Sequence, residues 1–270
     1  MLLNKTIGFI GGGAMAEALI RGILKSGMIE ASQLIVNDIS SERLRYLTNL
    51  FSVETTSDSQ ELAKKADVLF LTVKPQVMNH VVDQITPVVS KSTIIVSVAA
   101  GVTLSTLQNK MPGVPVVRVM PNTAVAVGEG MSAIALGKYA TSSIGEMVSS
   151  VFASVGKVVT VGEDLMDAVT GLSGSGPGYV YVLIDALTDA GVRVGFSRQT
   201  ALLLSAQTLL GAAKMVLETG EHPAKLRDMV TSPGGTSITG IHVLEQKGVR
   251  AALIDAVVAA TERSKEMGRK

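Results

Sequence analysis

Two clusters of small residues in this 270-residue chain have the types and spacing that chemistry needs. The first is Gly8-Phe9-Ile10-Gly11-Gly12-Gly13-Ala14-Met15-Ala16. Gly11, Gly13 and Ala16 fill a G-x-G-x-x-A pattern that ends an apolar run and opens an amphipathic one, the setting in which such a pattern holds a dinucleotide. Gly11 makes the tight turn, Gly13 lets backbone approach a diphosphate, and Ala16 keeps a helix close to a sheet. Ile10, Gly11, Gly12, Gly13, Ala14 and Met15 thus form a candidate cofactor loop whose N–H groups are oriented by a helix N-terminus. The second cluster is Thr231-Ser232-Pro233-Gly234-Gly235-Thr236-Ser237, which stands immediately before a helical stretch. One hydroxyl suffices for a helix cap. Ser232, Thr236 and Ser237, with Gly234 and Gly235 between them, instead suit a carboxylate held at a helix N-terminus.

Three further segments lie where apolar runs end. Val36-Asn37-Asp38-Ile39-Ser40-Ser41 is followed by Arg43. A carboxylate at Asp38 can accept hydrogen bonds from ribose hydroxyls, which favours NAD; Ser40, Ser41 and Arg43 could equally accommodate the 2′-phosphate of NADP. Both cofactors stay open at this point. Val73, Lys74 and Pro75 follow a run ending at Thr72, and Pro75 forces Lys74 out of helical geometry. In Val98-Ala99-Ala100-Gly101, small side chains allow a flat ring to approach the backbone.

The elements that must position these residues follow a regular pattern. Apolar runs at Thr6–Ile10, Leu34–Asn37, Val68–Val73, Thr93–Val98, Val114–Met120 and Lys157–Val161 read as strands. Helical spacing separates them: Met15, Ala18, Leu19 and Ile23 in the first interval, Leu44, Leu47, Leu50 and Phe51 in the second. Ser57-x-x-Gln60 and Ser143-x-x-Glu146 read as capping boxes. This alternation predicts an α/β fold, a Rossmann-type doubly wound parallel sheet, with ligands at the carboxyl ends of its strands. Strand signals stop after Glu163, where Asp164–Val192, Arg198–Thr219, Ala224–Val230, Thr236–Gln246 and Val249–Met267 read as helices. We therefore expect a dinucleotide-binding domain over residues 1–162 and an all-α domain over 163–270. Leu202, Leu203, Leu204, Leu209 and Leu210 wrap more than one face of their helix, which predicts burial against a second chain.

Composition removes several alternatives. A net charge of +1 and nine aromatic residues offer neither a basic field nor stacking platforms, so nucleic acid is not an expected partner. With no cysteine and three scattered histidines (His80, His222 and His242), no metal site is expected and a Ser-His-Asp triad is hard to assemble. The uncharged stretches 168–184 and 199–213 are, respectively, glycine-rich and short for a membrane span, so no membrane association is expected. Met1-Leu2-Leu3-Asn4-Lys5-Thr6 has no basic flank or cleavage site, and a cytoplasmic location follows as the default.

The chain resembles the pyrroline-5-carboxylate reductases over essentially its whole length. The similarity is carried by the glycine loop, Val73-Lys74-Pro75, Ala99-Ala100-Gly101-Val102, Met120-Pro121-Asn122-Thr123, Asp167 through Pro177, and Asp228 through Thr236. Ala124, Gly178 and Ser237 stand where the family more often has proline, alanine and threonine. The resemblance implies reduction of (S)-1-pyrroline-5-carboxylate to L-proline with NADPH or NADH, the last step of proline biosynthesis. It further implies that Ser237 is the catalytic hydroxyl nearest the imine nitrogen. Asn122, Ser232, Gly234, Gly235 and Thr236 would bind substrate, with a carboxylate held by the loop, and the loop would act across a homodimer that family members often stack into a decamer. An iminium carbon is already electrophilic, so such a reaction asks mainly for orientation and a donor to nitrogen. The absence of histidine between His80 and His222, and of lysine between Lys157 and Lys214, agrees with that economy.

Two other readings compete. β-Hydroxyacid dehydrogenases resemble the chain to about residue 130, but they use a lysine in the helix that opens the second domain, and this chain has none there. A non-catalytic nicotinamide-binding sensor would not need the Ser232–Ser237 cradle.

Overall fold

The computed structural model describes residues 5–268. Most of the N-terminal segment read for a leader, Met1 to Asn4, lies outside the described residues. The chain forms two compact units, one running to Ser175 and rejoined by the segment from Ala259, the other Gly176–Val258.

In the first unit, β1 (Ile7–Ile10) is buried along its whole length. Successive side chains serve opposite faces: Ile7 and Phe9 join one apolar cluster and Ile10 the other. Then follow α1 (Ala14–Lys25), β2 (Leu34–Asn37), α2 (Ser41–Phe51), β3 (Glu54–Thr56), α3 (Ser59–Lys65), β4 (Val68–Leu71), α4 (Pro75–Ile85), β5 (Ile94–Ser97), α5 (Leu104–Lys110) and β6 (Val116–Pro121). The alternation closes with β7 (Gly130–Leu136), α6 (Ser142–Ala153) and β8 (Gly156–Thr160).

The strands form one sheet in the order β3-β2-β1-β4-β5-β6-β7-β8. Ile7–Ile10 pair in parallel register with Leu34–Asn37 on one side and Val68–Leu71 on the other. The chain therefore leaves β1 in one direction and returns at β4 in the other, so the expected switch point lies between the carboxyl ends of β1 and β4. Phe9 stacks on Phe70 at 4.8 Å between ring centroids, and Phe152 of α6 covers Phe70 at 6.2 Å. On the opposite face Leu62, Met78, Val82 and Leu107, from α3, α4 and α5, cover Leu69, Leu71 and Ile95. Gly8 is what lets α3 approach: a Cβ there would stand 2.9 Å from the Leu62 side chain.

The sheet departs from the expected one at two strands. β7 runs antiparallel to β6, with Met120 opposite Ala133, so the sheet is mostly rather than wholly parallel. β7 was not expected because its Gly-Met-Ser-Ala-Ile-Ala-Leu sequence has one β-branched residue. β3 is a polar edge strand, with no apolar run to announce it. The two expected capping boxes also give way to neighbours. Asp58, not Ser57, caps α3 by accepting from the Gln60 and Glu61 amides. Thr141, not Ser143, caps α6 by accepting from Ile144. In α2 only Leu47 of the four expected apolar positions is buried.

The first unit continues past residue 162. The helix expected over Asp164–Val192 is divided: a 3-10 turn (Glu163–Leu165) leads to α7 (Met166–Val169) and then to a π-helical turn, Thr170–Gly174. Met166 is fully buried in the sheet's apolar cluster, which attaches this segment to the first unit.

The second unit holds α8 (Gly176–Arg193), α9 (Arg198–Thr219), α10 (Pro223–Met229), α11 (Thr236–Gln246) and the first half of α12 (Val249–Gly268). Gly191 of α8 admits α9 closely, since a Cβ there would lie 2.7 Å from that of Ala201. Among the described residues of this unit just three, Thr188, Ala201 and Ser205, are buried. Leu202, Leu203, Leu204, Leu210 and Leu217 stand exposed along α9. At 22 residues α9 is also longer than the uncharged stretch within it, and by length and composition alone it could cross a membrane. Its bounds are those the sequence predicted, and Lys214 and Glu218, an i,i+4 ion pair, carry the helix beyond the uncharged stretch.

Candidate active site

The glycine loop sits at the switch point as expected. The Gly11 amide donates to Asn37 of β2 at 2.8 Å, and Thr72 ties β4 to the same turn through its own hydroxyl, which donates to the Gly11 carbonyl at 2.7 Å. Gly11 adopts φ +99°, a backbone that side-chain-bearing residues rarely take. Gly13 is the N-cap of α1, yet no side chain caps that helix. Nothing lies within 4 Å of where a Gly13 Cβ would be. An open N-terminus beside an open glycine is the shape a diphosphate needs, so the loop fits the dinucleotide that its pattern suggested. Ala14 is exposed there, Met15 half-buried and Ala16 buried against the sheet.

Gly12 differs from its neighbours. It is buried, and a Cβ there would meet Leu47 at 2.8 Å. Its amide donates to Asp38 Oδ2 at 2.7 Å, and its carbonyl accepts from Arg43 Nε. Asp38 Oδ1 accepts from the Ser40 amide, and the Ser40 hydroxyl caps α2 by accepting from Arg43. Arg43 pairs with Glu17 at 2.6 Å and lies over the Tyr46 ring. Burial pushes the Glu17 carboxyl up, but hydrogen bonds from Arg43, Arg21 and Tyr46 outweigh it and hold Glu17 below the ordinary carboxylate range.

A cleft of about 300–1,000 Å³ is typical of small-molecule sites; this one measures about 830 Å³. Gly11, Gly13, Asp38, Val73 and Lys74 border it, with Ile10 at its floor. Ile39, Asp58, Gln60, His80 and Gln84 border it too, and the sequence reading named none of them as site residues. Of these Ile39 had a usable signal, its place directly after Asp38 in the sequence, and it stands fully exposed. Pro75 opens α4 at its first position and Lys74 is the residue before it, in extended backbone. Val98, Ala99 and Ala100 follow β5, with the Val98 amide donating to Leu71 of β4. These three residues do not border the cleft formed by the loop and β2.

Asn122 is placed by structural bonds. Its side-chain oxygen accepts from the Ala124 and Met131 amides, and its Nδ2 donates to the Ser173 carbonyl at 3.1 Å. It joins the turn after β6 to the π-helical turn and keeps no unengaged amide oxygen for a ligand in this arrangement.

The second cluster lies in the helical unit. Gly235 donates to the Ser232 carbonyl at 2.9 Å, closing a turn in which Gly234 takes φ +68°. A Cβ on Gly235 would stand 2.4 Å from Ser232 Oγ, so that residue cannot bear a side chain without moving the hydroxyl. Gly235 is the N-cap of α11, and no side chain caps it. Ser232, Thr236 and Ser237 are all exposed there. Thr231 and Thr239 spend their hydroxyls on the Asp228 and Gly235 carbonyls. Three exposed hydroxyls therefore surround a helix N-terminus whose first amides have no side-chain acceptor, a geometry suited to a small carboxylate. No group of three or more acidic or histidine side chains able to hold a metal occurs among the described residues.

Residues 163–267 match the family model for pyrroline-5-carboxylate reductase dimerisation, and residues 6–101 match that for coenzyme F420-dependent NADP oxidoreductase. The chain is similar to the pyrroline-5-carboxylate reductase of Methanosarcina acetivorans, with 46% identity over 99% of both chains. A pyrroline-5-carboxylate reductase of Coxiella burnetii superimposes with a TM-score of 0.93 at 34% identity, covering 98% of this chain and 99% of that one. The Plasmodium falciparum pyrroline carboxylate reductase solved with NADP bound superimposes at 0.88 with 33% identity, covering 98% of each chain.

Proposed function

Since the chain belongs to the pyrroline-5-carboxylate reductase family, we propose that it reduces (S)-1-pyrroline-5-carboxylate to L-proline, consuming one NADH or NADPH and one proton. The observation that carries this reading is the uncapped N-terminus of α11, ringed by Ser232, Thr236 and Ser237.

The bound dinucleotide supplies the hydride; the chain supplies orientation and charge. Backbone amides at Gly13, Ala14 and Met15 would hold the diphosphate, and Val98, Ala99 and Ala100 would stand beside the reduced ring. Ser232, Gly234, Gly235 and Thr236 hold the substrate carboxylate against the α11 dipole. Ser237 donates a hydrogen bond toward the ring nitrogen as hydride addition at carbon sends the C=N π pair onto that nitrogen. Asn122 contributes by fixing the turn after β6, a positioning role that accords with its three structural hydrogen bonds. We assign residues 163–270 to substrate binding and dimerisation, and the substrate loop acts across the dimer. The apolar length of α9 is accounted for by a second copy rather than by lipid, which supports a cytoplasmic enzyme; stacking of dimers into a decamer is the assembly we propose. The near-zero net charge argues against a nucleic-acid partner.

The test is a turnover assay. NADH or NADPH should be oxidised when pyrroline-5-carboxylate or a close cyclic imino acid is added, and not otherwise. Equal or faster reaction with 3-hydroxyisobutyrate and the oxidised cofactor would favour the hydroxyacid dehydrogenase reading instead.

A further inference from the structure

The two cofactors differ at one group, the 2′-phosphate of the adenosine ribose, so preference turns on what stands beside that ribose. We propose that Asp38 makes this chain select NADH over NADPH, an inference that rests on the reductase reading above.

Asp38 lies at the carboxyl end of β2 and borders the cleft. Its carboxylate is fixed by two amides, Gly12 on Oδ2 at 2.7 Å and Ser40 on Oδ1 at 2.9 Å. Each oxygen retains a lone pair, and a carboxylate so placed accepts hydrogen bonds from the two ribose hydroxyls. A phosphate in place of one hydroxyl brings about two negative charges to the same spot and has no proton to donate there. Binding then requires either the carboxylate to leave, breaking both amide bonds, or a cation to intervene.

The cations in reach of that spot are already committed. Arg43, which the sequence offered as a phosphate partner, donates Nε to the Gly12 carbonyl and pairs its Nη2 with Glu17. The Ser40 and Ser41 hydroxyls, the other candidates, stand at the cap and first residue of α2 and carry no charge to offset a phosphate. Asp58 adds a second carboxylate to the cleft wall. Lys74 is the one lysine or arginine among the described residues that border the cleft, and it projects from the end of β4, beyond β1 from Asp38. Ile39 next to Asp38 is fully exposed, offering an adenine face a flat apolar surface where a phosphate-binding site would place a charge.

The experiment is calorimetric titration of the whole protein with NADH and with NADPH, for wild type, Asp38→Ser, Asp38→Asn and Lys74→Ala. Wild type should bind NADH about tenfold or more tightly than NADPH, because a like-charge contact is a strong discriminator. Asp38→Ser should shift the ratio toward NADPH by a similar factor. Asp38→Asn keeps an acceptor for Gly12 and removes the charge, so it should move the ratio the same way even if the serine variant folds poorly. Lys74→Ala should change both affinities alike. Equal or tighter NADPH binding in wild type, an unchanged ratio in Asp38→Asn, or selective loss of NADPH binding in Lys74→Ala would each overturn the proposal. Selective NADH binding without turnover on pyrroline-5-carboxylate would overturn the reductase reading and leave the selection by Asp38 standing.

Discussion

Ser264 donates a 2.7 Å hydrogen bond to Asp167 Oδ1, joining the last turns of α12 to α7 across 97 positions of sequence. Ser264 is buried, and its hydroxyl helps to fasten the last turns of α12 to α7. Ser264→Ala removes this donor from a half-buried carboxylate that water still reaches, and should cost about 0.5–1.5 kcal/mol, the net worth of a typical hydrogen bond. Urea denaturation followed by circular dichroism measures it. A midpoint equal to wild type would mean that water replaces the hydroxyl at no loss.

Ser237→Ala should lower kcat by about 10²-fold with a smaller change in KM, as expected when a donor acts mainly in the transition state. Ser237→Thr keeps the hydroxyl and should retain most activity. Ser232→Ala should instead raise the KM for pyrroline-5-carboxylate. Steady-state kinetics on the three variants, with circular dichroism for folding, separates these roles. Wild-type turnover in Ser237→Ala would reduce that residue to the first turn of a helix.

Gly13 and Gly11 should respond differently to alanine. At Gly13 the backbone is extended and the space beside it open, so Gly13→Ala should fold with wild-type stability while weakening cofactor binding. At Gly11 the positive φ and the nearby Val73 side chain oppose any Cβ, so Gly11→Ala should lose stability as well, by about 1 kcal/mol or more. Thermal melting paired with cofactor titration distinguishes the two. Unweakened cofactor binding in Gly13→Ala would remove the diphosphate from this loop.

Light scattering should find a dimer or a multiple of dimers at micromolar concentration. Leu203 and Leu210 stand seven residues apart on one face of α9 and are both exposed within a single chain. Replacing both by aspartate should release monomer, since charges buried at a contact have no partner there. A stable wild-type monomer would contradict the assignment of α9 to a subunit contact.

What the sequence made legible was local. Gly11-x-Gly13-x-x-Ala16 and Ser232 through Ser237 each act within a single turn, so residue type and spacing are enough to recognise them. Strands such as Val68–Leu71 announce themselves because both faces are buried and every position is apolar. β3 and β7 escaped because an edge strand need not be apolar and a strand of small residues lacks β-branching. The caps at Asp58 and Thr141 were missed by one and two positions, a difference set by where each helix axis starts rather than by residue type. The attachment of 163–175 and of the end of α12 to the first unit depends on Met166 and on Ser264 meeting Asp167, contacts between segments that no local pattern links. Whether Arg43 was free for a phosphate was likewise undecidable from spacing, because its partner Glu17 lies 26 positions away.

The Gly12 peptide is held from both sides, its amide by the Asp38 carboxylate and its carbonyl by the Arg43 guanidinium. Three consecutive glycines would ordinarily sample many conformations, and a ligand that ordered them would give up affinity to do so. Here opposite charges on β2 and α2 have already chosen one. The entropy of arranging the loop is therefore met during folding, and the dinucleotide arrives at a turn that is rigid although its composition suggests a hinge.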